Sequence, residues 1–487
     1  MFARNKPVVV WLREDLRASD NPALQAALSL NAPVICIYIF DTRSPGIRAA
    51  GGASRWWLHH SLKNLGGTLA EIGGRLDLFD GKAGEIVPAL AESTGAQAVF
   101  WNRRYGAAEI AVDSGIKSRL AESGLRAASF NAALLVEPWE IRTKSGTEFK
   151  VFTPFWRAAR ERGPFAAPLP APEALVAAPV PSHGPQPVAL DSLLLLPRKP
   201  DWAGGLAAEW QPGEAGAAAR LAAFLDHGVA NYGLDRNRPD LQNVSRLSPH
   251  LHFGEISPRQ LAQAAQAAEL RGEAHPRDIA KFLAEIGWRE FSYHLLFHNP
   301  ELATKNFQPR FDAFPWEELP GEQLLAWQQG RTGYPIVDAG MRELWQTGYM
   351  HNRVRMIAAS FLIKHLMADW RVGEQWFWDT LCDADPASNA ASWQWVAGSG
   401  ADAAPYFRIF NPVLQGEKFD PAGDYVKKYV PELARLAPNW LHRPWDAPPV
   451  VLSEAGVTLG RSYPAPMVDH ARARERALSA FAGLGAT

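Results

Sequence analysis

Cysteine is scarce in this sequence, with only Cys36 and Cys382 among 487 residues. Two cysteines are too few for a disulfide framework, and neither stands at a spacing that metal sites use. The scarcity excludes the disulfide-rich secreted class of small domains. It predicts no metal site and favours a reducing, cytoplasmic compartment.

Long hydrophobic runs, an export signal and a charge excess are missing as well. The longest apolar runs, such as "VICIYIF", have the length of a strand and fall far short of a membrane span. The N-terminus, "MFARNKPVVVW", leads directly into a strand pattern without a small-residue cleavage site. We therefore expect no membrane partner. A net charge of −1 argues neither for nor against nucleic acid, because a neutral total can hide a basic patch.

A dinucleotide fingerprint is absent from the first 140 residues, although their pattern is that of a nucleotide-binding fold. Strand runs such as "PVVVWL", "APVICIYIF" and "AQAVFWN" alternate with helical runs such as "NPALQAALSL" and "AGEIVPALAEST". This alternation predicts an α/β, doubly wound parallel sheet with its ligands at the carboxyl ends of the strands. A nucleotide-binding oxidoreductase is the generic interpretation, and the missing GxGxxG motif argues against it.

The rest of the chain predicts a different architecture. Proline and alanine dominate residues 164–200, which favours a long and partly extended connector. Beyond it nearly every segment has helical spacing. We predict an α/β domain over residues 1–140, an interdomain linker over 141–204 and a mostly α-helical domain over 205–487.

Tryptophan is abundant, with 19 residues, most of which we expect in cores. Trp393 and Trp395 stand one residue apart in "SNAASWQWVAG", after an expected helix start with Asp385 as N-cap and Pro386 as first residue. Each helical residue turns about 100°, so Asn389 and Trp393 share a face while Trp395 points about 200° away from Trp393. One ring and the amide would face one pocket, and the second ring would face elsewhere.

Two further stretches could contribute to a binding site. In "SRLSPHLHFG", Ser245 and Ser248 suit a phosphate at a helix N-terminus, although ordinary capping is the more frequent role of such serines. In "EIGWRE", Glu285, Trp288 and Arg289 share one helical face. That combination suits a polar aromatic ligand, with a surface ion pair beside an incidental tryptophan as the alternative.

The stretch "MHNRVRM" repeats this logic. Asn352 and Met356 stand one helical turn apart, and Arg355 lies beside them with a charge that needs a partner if it is buried. Asp383 and Asp385 in "LCDADP" are the nearest unexplained carboxylates. One of them could pair with Arg355 around an electron-rich ring, while Asp385 also caps the following helix.

Together these stretches resemble the photolyase/cryptochrome family of flavoproteins, most closely its cyclobutane pyrimidine dimer photolyases. The matching runs are "WLREDLRASDNPAL", "SRLSPHLHFGEISP", "GYPIVDAGMREL", "MHNRVRM" and "SNAASWQWVAGSGADAAPYFRIFNPVLQGEKFD". They follow the family's order over nearly the whole chain. The resemblance implies an N-terminal antenna-chromophore domain and a C-terminal FAD-binding catalytic domain, in which light drives an electron from reduced FAD into a DNA lesion.

The resemblance also implies which residues hold FAD. Val244 departs from the threonine that is common just before the "SRLS" run, so one side-chain hydroxyl is lost there. Arg355 is expected opposite Asp383, and Asn389 at the flavin N5 edge. The implied contacts are Tyr232, Ser245, Arg246, Leu247, Ser248, Arg289, Asn352, Arg355, Asp383, Asp385 and Asn389.

Catalysis and lesion binding are assigned by the same resemblance. An electron-hopping chain is implied from Trp393 through Trp370 to Trp316, and catalytic roles fall on Glu285, Asn352, Met356 and Asn389. Glu285 can hydrogen-bond or protonate a thymine carbonyl. The partner is damaged DNA, duplex or single-stranded, bound by a monomer, and a flipped-out lesion gains roughly 1–3 kcal/mol per base from aromatic stacking. The implied lesion and DNA contacts are Glu285, Trp288, Met356, Trp395, Arg353 and Arg408.

Three functions within the family compete. Enzymes for the (6-4) lesion typically carry histidines where Asn352 and Met356 stand, so that interpretation is weak. Plant-type cryptochromes tend to have aspartate at the position of Asn389 and a long C-terminal extension, whereas this chain ends soon after the helical domain. The resemblance therefore implies a deoxyribodipyrimidine photo-lyase acting on cyclobutane dimers, with a blue-light photoreceptor without repair activity as the alternative.

An antenna chromophore is implied in the N-terminal domain, with 5,10-methenyltetrahydrofolate favoured over 8-hydroxy-5-deazaflavin. Glu109 lies near a folate-contacting position of one photolyase class, but Ala108 departs from the asparagine expected beside it. Glu148 is the alternative partner, in the classes closer to plant cryptochromes.

Overall fold

The computed structural model describes residues 6–403 and 407–484 of the chain. The chain divides into two compact units. Unit 1 comprises Met1–Phe149, Thr153–His227 and Ser245–Pro300, and unit 2 comprises Lys150–Phe152, Gly228–Val244 and Glu301–Thr487. Both units are assembled from separated stretches of sequence, and the domain boundaries at residues 140 and 204 stay a prediction.

Unit 1 contains a five-stranded, entirely parallel sheet with the strand order β3-β2-β1-β4-β5. Val8 of the central strand β1 pairs with Val34 of β2 and with Ala98 of β4. Every residue of β1 is buried, as expected for a strand covered on both faces. The predicted doubly wound sheet is confirmed. The strands are β1 Val8–Leu12, β2 Val34–Phe40, β3 Leu76–Asp80, β4 Ala98–Asn102 and β5 Arg126–Phe130.

Helices make up most of the remaining structure, and unit 2 is mostly helical as predicted, with α8 and α12 to α21. The helices are α1 Pro22–Leu28, α2 Gly52–Glu71, α3 Ala83–Thr94, α4 Ala107–Glu122, α5 Phe152–Glu161, α6 Gly204–Glu209, α7 Glu214–Ala223, α8 Tyr232–Asp235, α9 Ser248–His252, α10 Pro258–Leu270, α11 Pro276–His298, α12 Gly321–Gln328, α13 Pro335–Thr347, α14 Asn352–Ser360, α15 Trp370–Thr380, α16 Ser388–Ala397, α17 Pro412–Phe419, α18 Asp424–Tyr429, α19 Pro438–Leu441, α20 Pro449–Ala455 and α21 His470–Gly483.

The proline-rich connector is extended along the sheet of unit 1. Within residues 164–200 the only helical turn is the 3-10 turn Leu190–Leu193. The backbone N–H of Val34, at the start of β2, donates to Val176 O of the connector, and the N–H of Ala178 donates to Val34 O. Further along the connector, Val188 donates its backbone N–H to Leu78 O of the edge strand β3. The extended character is as predicted. Helix α5, inside the predicted linker, is an element that the sequence analysis missed.

Helix α16, which carries the tryptophan pair, begins slightly later than predicted. Asp385 Oδ1 accepts hydrogen bonds from the backbone N–H groups of Ala387 (3.0 Å) and Ser388 (2.7 Å), so this side chain caps the helix as expected. Regular helix starts at Ser388 rather than at Pro386. It ends at Gly398, whose φ of 93° is in the left-handed region that glycine adopts without strain.

Among the described residues, no helix is both long enough and apolar enough to cross a membrane. In residues 6–403 and 407–484, no group of three or more His, Cys, Asp and Glu side chains is arranged to hold a metal ion.

Candidate active site

Asn389, in the first turn of α16, is held by its amide nitrogen. Nδ2 donates to Oε1 of Glu374 at 2.8 Å and to the backbone oxygen of Glu374 at 3.1 Å. Both residues are buried, with exposures of 8% for Asn389 and 2% for Glu374. Because both hydrogen bonds use the nitrogen, the carbonyl Oδ1 is the atom that can accept from a ligand. Glu374 on α15 was missed, since no sequence spacing relates two different helices.

Trp393 lies on the same side of α16, against α15. Its ring contacts Phe377 at a centroid distance of 4.9 Å and Trp327 at 6.4 Å, both edge-on. A Cβ atom at Gly373 would overlap the Trp393 ring, so only glycine allows the indole to lie this close to the backbone of α15. Asn389 and Trp393 therefore both face α15, which confirms the shared face predicted from their spacing.

Trp395 has different surroundings. Its ring is half-buried, and Nε1 donates to the backbone oxygen of Asp402 at 3.0 Å. Asp402 adopts a left-handed φ of 53°, and its Oδ2 accepts from the backbone N–H of Phe152 at 3.3 Å. The two indoles of α16 thus differ in exposure: Trp393 is inside the core of unit 2, whereas Trp395 packs against the edge of that core and is partly open.

The two other tryptophans of the predicted electron-hopping chain belong to unit 2. Trp370 is fully buried, and its Nε1 donates to Asn306 Oδ1 at 2.9 Å, while Asn306 in turn donates to Asp312 at 2.7 Å. Trp316 is half-buried with its ring 4.3 Å from that of Phe314. The hydrogen-bond chain from Trp370 through Asn306 ends at the Asp312 carboxylate, which favours positive charge on that indole. The chain itself stays a prediction.

Helix α14 carries Asn352 and Met356 one turn apart, as the spacing predicts; Asn352 is exposed and Met356 half-buried. The predicted ion pair is also present, since Arg355 Nη2 lies 2.8 Å from Asp383 Oδ2. Burial acts to lower the pKa of Arg355, but Asp383 together with Tyr349 and Glu343 outweighs it and the pKa is raised. A fixed positive charge next to a buried carboxylate suits a polar, electron-rich ligand.

Three arginines of unit 2 form a cluster, which we name the arginine cluster: Arg236, Arg353 and Arg408. Burial and the charges of Arg236 and Arg408 lower the pKa of Arg353, so both cations are close enough to Arg353 to repel its charge. Arg353 Nη2 donates to Asn237 Oδ1 at 2.7 Å, and its guanidinium lies 4.6 Å over the Phe419 ring. Such a cluster suits phosphate groups. Arg236 was not predicted, because its neighbours come from distant segments of the chain.

In unit 1, the "SRLS" run leads into the short helix α9. Arg246 has a left-handed φ of 52°, and its Nη1 lies 2.7 Å from Glu209 Oε1. Leu247 is buried in the core and Ser248 is the exposed first residue of the helix. The hydroxyls of Ser245 and Ser248 and the backbone N–H groups are thus the parts of the run best suited to a ligand.

Glu285, Trp288 and Arg289 share one face of α11 in unit 1, as predicted. Lys281 Nζ lies 3.2 Å from Glu285 Oε1, so this carboxylate has a cationic neighbour one turn away. Arg289 Nη1 donates to Ala133 O at 2.6 Å. The Trp288 side chain is half-buried.

The predicted contacts have the chemistry that FAD requires. Hydroxyls of Tyr232, Ser245 and Ser248 suit the diphosphate and ribityl oxygens, and Tyr232 is buried at the start of α8. The Arg355–Asp383 pair suits the polar edge of the isoalloxazine, and Asn389 Oδ1 can accept from a ring N–H. The residues present therefore fit the cofactor, although each contact stays a prediction.

Glu109 and Glu148, the two antenna candidates, differ in their surroundings. Glu109 lies in the first turn of α4 with its carboxylate folded against Gly106, the N-cap, where the helix dipole attracts it. Glu148 is half-buried and acts to raise the pKa of the buried His294, which burial nevertheless lowers to about 4. The backbone N–H of Phe149 donates to His294 Nε2 at 3.0 Å.

The carboxyl ends of β1 and β4, where a doubly wound sheet binds ligands, are filled by the chain's own side chains. Arg13 Nη1 lies 2.6 Å from Asp113 Oδ1, and the guanidinium also donates to Asn102 O. Asn102 Nδ2 donates to Asp15 at 2.6 Å and to Asn21 at 2.8 Å. The cavity beside this network has a volume of about 10 Å³, enough for one water molecule.

Comparison with known proteins places these features in one family. A family profile described as the FAD binding domain of DNA photolyase matches residues 282–483, and one described as DNA photolyase matches residues 8–173. The deoxyribodipyrimidine photo-lyase of Agrobacterium fabrum is 52% identical over 487 residues and is covered over 100% of both chains. Cryptochrome-1 of Arabidopsis thaliana is 38% identical over 96% of this chain and 69% of its own length.

A solved structure agrees with this assignment. The crystal structure of a bacterial class III photolyase from Agrobacterium tumefaciens matches with a TM-score of 0.95 and 51% identity, over 100% of this chain and 99% of that one. Sequence, fold and the FAD-binding region lead to one conclusion: the chain belongs to the DNA photolyase family.

Proposed function

We propose that this protein is a deoxyribodipyrimidine photo-lyase that repairs cyclobutane pyrimidine dimers in DNA under light. The observation that carries the proposal is the arrangement of α16, with Trp393 in the core, Trp395 half-buried beside Asp402, and Asn389 fixed by its nitrogen. One helix thereby offers a buried indole for electron supply and a second, accessible indole for a flipped base.

The chain's own residues have defined tasks in this proposal. Bound FAD supplies the light-driven electron. Asn389, oriented by Glu374, presents a carbonyl oxygen to the cofactor, and the Arg355–Asp383 pair fixes its polar edge. Glu285 faces the lesion as a hydrogen-bonding group, and Lys281 Nζ lies 3.2 Å from its Oε1.

In this proposal the arginine cluster binds the phosphates of DNA. Asn237 and Phe419 hold the guanidinium of Arg353, so little side-chain freedom is lost when it meets a phosphate. Trp288 and Trp395 are the stacking surfaces for the extruded bases. Asn352 and Met356 lack the titratable imidazole expected for the (6-4) lesion, which supports the cyclobutane dimer as substrate.

A light-signalling role without repair is the second candidate, because the chain is 38% identical to a plant cryptochrome. The deciding experiment uses purified protein with reduced flavin and an oligonucleotide that carries one thymine dimer. Blue light should restore the dimer, and a dark sample should not change. Unchanged dimer content after illumination would favour the signalling role.

The electron-hopping chain has its own test. Trp370→Phe should abolish photoreduction of oxidised flavin but leave repair by chemically reduced protein intact, because phenylalanine is much harder to oxidise. Trp376→Phe is a matched control on α15, where Trp376 stacks on the partly exposed Trp345 at 6.0 Å. Photoreduction at the wild-type rate in Trp370→Phe would remove this residue from the path.

The antenna proposed is 5,10-methenyltetrahydrofolate, held by Glu148. One observation supports Glu148 over Glu109: the Glu109 carboxylate already lies against Gly106 at the N-terminus of its own helix. The absorption spectrum of freshly isolated protein distinguishes the two chromophores. Glu148→Gln should lose the antenna band and Glu109→Gln should retain it; the reverse pattern would reassign the site.

A further inference from the structure

Asn243, in unit 2, has a buried side-chain amide that makes no hydrogen bond within the described part of the chain. The residue is 8% exposed, and neither Oδ1 nor Nδ2 has a partner. Buried polar groups are nearly always hydrogen-bonded, because leaving a donor and an acceptor unsatisfied costs free energy. An amide with both ends unpaired therefore points to a partner that is not part of the polypeptide.

Other buried asparagines of this chain are satisfied, which makes Asn243 unusual. Asn21 and Asn102 belong to the network at the strand ends, Asn306 bridges Trp370 and Asp312, and Asn389 is held by Glu374. The lack of hydrogen bonds at Asn243 is therefore not shared by the other buried asparagines of the described residues.

The place of Asn243 in the chain suggests what the partner is. It precedes Val244, whose side chain offers no hydrogen bond, and it stands two residues before Ser245. Two peptide units span at most about 7 Å, so the Cα atoms of Asn243 and Ser245 are no farther apart than that along the chain. That run supplies hydroxyls and N–H groups suited to phosphate. A side chain with an NH₂ donor group and a carbonyl acceptor matches a phosphate oxygen next to a hydroxyl.

We propose that Asn243 is a cofactor-binding residue, whose Nδ2 donates to a diphosphate oxygen of FAD and whose Oδ1 accepts from a ribityl hydroxyl. It makes up for the missing hydroxyl at position 244. The inference depends on FAD binding and not on repair. Loss of repair with normal FAD retention would therefore count against the proposed function alone.

The test is FAD retention by the full-length holoprotein, read as free-flavin fluorescence over a dilution series. Asn243→Leu should weaken FAD binding roughly 10- to 100-fold, the value of losing a hydrogen bond to a charged group. Asn243→Asp should weaken it further, because a carboxylate repels the phosphate. Gln242→Ala is the matched control, since this neighbouring amide is exposed and should retain wild-type affinity.

Thermal unfolding with and without added FAD gives a second readout, which also applies if one variant folds poorly. In the absence of added FAD, Asn243→Leu should melt no lower than the wild type, because an unsatisfied amide has been removed. The increase in Tm produced by added FAD should be smaller. Val244→Thr in the Asn243→Leu background should recover part of the affinity. Affinity within twofold of wild type in both Asn243 variants, or a loss that Gln242→Ala shares, overturns the inference.

Discussion

The carboxyl ends of β1 and β4 and the first turn of α16 both gather buried polar side chains, but they use them in opposite ways. At the strand ends Arg13, Asp15, Asn102 and Asp113 bond one another and leave space for one water molecule. In α16, Asn389 is bonded through its nitrogen only, so one end is left for a ligand. Buried polarity alone therefore does not mark a binding site; a buried polar group with a hydrogen-bonding atom left without a partner does.

The largest effect is expected from breaking the strand-end network. Arg13→Ala leaves the buried Asp113 carboxylate without its cation, which should lower the free energy of unfolding by about 3–5 kcal/mol. Arg43→Ala is the control, because the Arg43–Asp80 pair is exposed and worth at most about 1 kcal/mol. Denaturant unfolding measures both variants. Equal effects would mean that the strand-end network does not stabilise unit 1 as a closed cluster.

A second prediction concerns the pH dependence of stability in unit 1. Burial raises the pKa of Glu290 to about 7, although Arg289 and the backbone N–H groups of Val136 and Leu135 act to lower it. The folded state therefore binds this proton more tightly than the unfolded state, whose value is 4.5. Its contribution is fully present below pH 4.5 and is lost as the pH rises through about 7.

Glu290→Gln retains an acceptor for the two backbone N–H groups and removes the titration. The variant should lack the loss of stability between these pH values, which amounts to about 3 kcal/mol at 1.36 kcal/mol per unit. Glu85→Gln, at an exposed Lys82 pair, is the control. Unfolding free energies at pH 5 and pH 8 measure the difference. A variant as pH-dependent as the wild type would show that Glu290 is paired more completely than its contacts indicate.

Packing around α16 can be tested by replacing a glycine that lies against it with alanine. Gly373→Ala should cost about 1–3 kcal/mol and displace the Trp393 ring, because the new methyl overlaps it. Gly66→Ala is a control of opposite sign, since nothing lies within 4 Å of its Cβ position in α2, and alanine there should add about 0.5–1 kcal/mol. Thermal unfolding would show both shifts; a stabilised Gly373→Ala would mean that the ring has room to move.

The smallest effect is expected in DNA binding, where two variants of the arginine cluster distinguish the charge of Arg353 from its positioning by Asn237. Arg353→Ala should weaken binding of all DNA sequences alike and reduce the slope of log affinity against log salt by about 1. Asn237→Ala retains every charge but frees the guanidinium, so affinity should fall while the salt slope is unchanged. Titrations at several salt concentrations measure the slopes. A reduced slope in Asn237→Ala would contradict the positioning role.

Much of the α/β architecture was predictable because its strands are short apolar runs bounded by turn residues. Helix α5 was not predicted, because its residues fell inside the stretch assigned to the interdomain linker. In the helical part, periodicity predicted that Asn389 and Trp393 share a face. It could not show that Glu374 holds the amide or that Gly373 admits the ring, because both contacts join separate helices. The pairing of Arg355 with Asp383 was predictable, whereas the contribution of Arg236 to the arginine cluster was not.

The proline-rich connector covers part of the outer edge of β3, where Val188 donates its backbone N–H to Leu78 O. Strand β3 is an outer strand of the sheet, and exposed strand edges invite pairing with other molecules and aggregation. A stretch rich in proline can shield such an edge without itself offering a continuous row of donors for another strand. Removal of this segment is therefore expected to expose the outer edge of β3 and to promote aggregation.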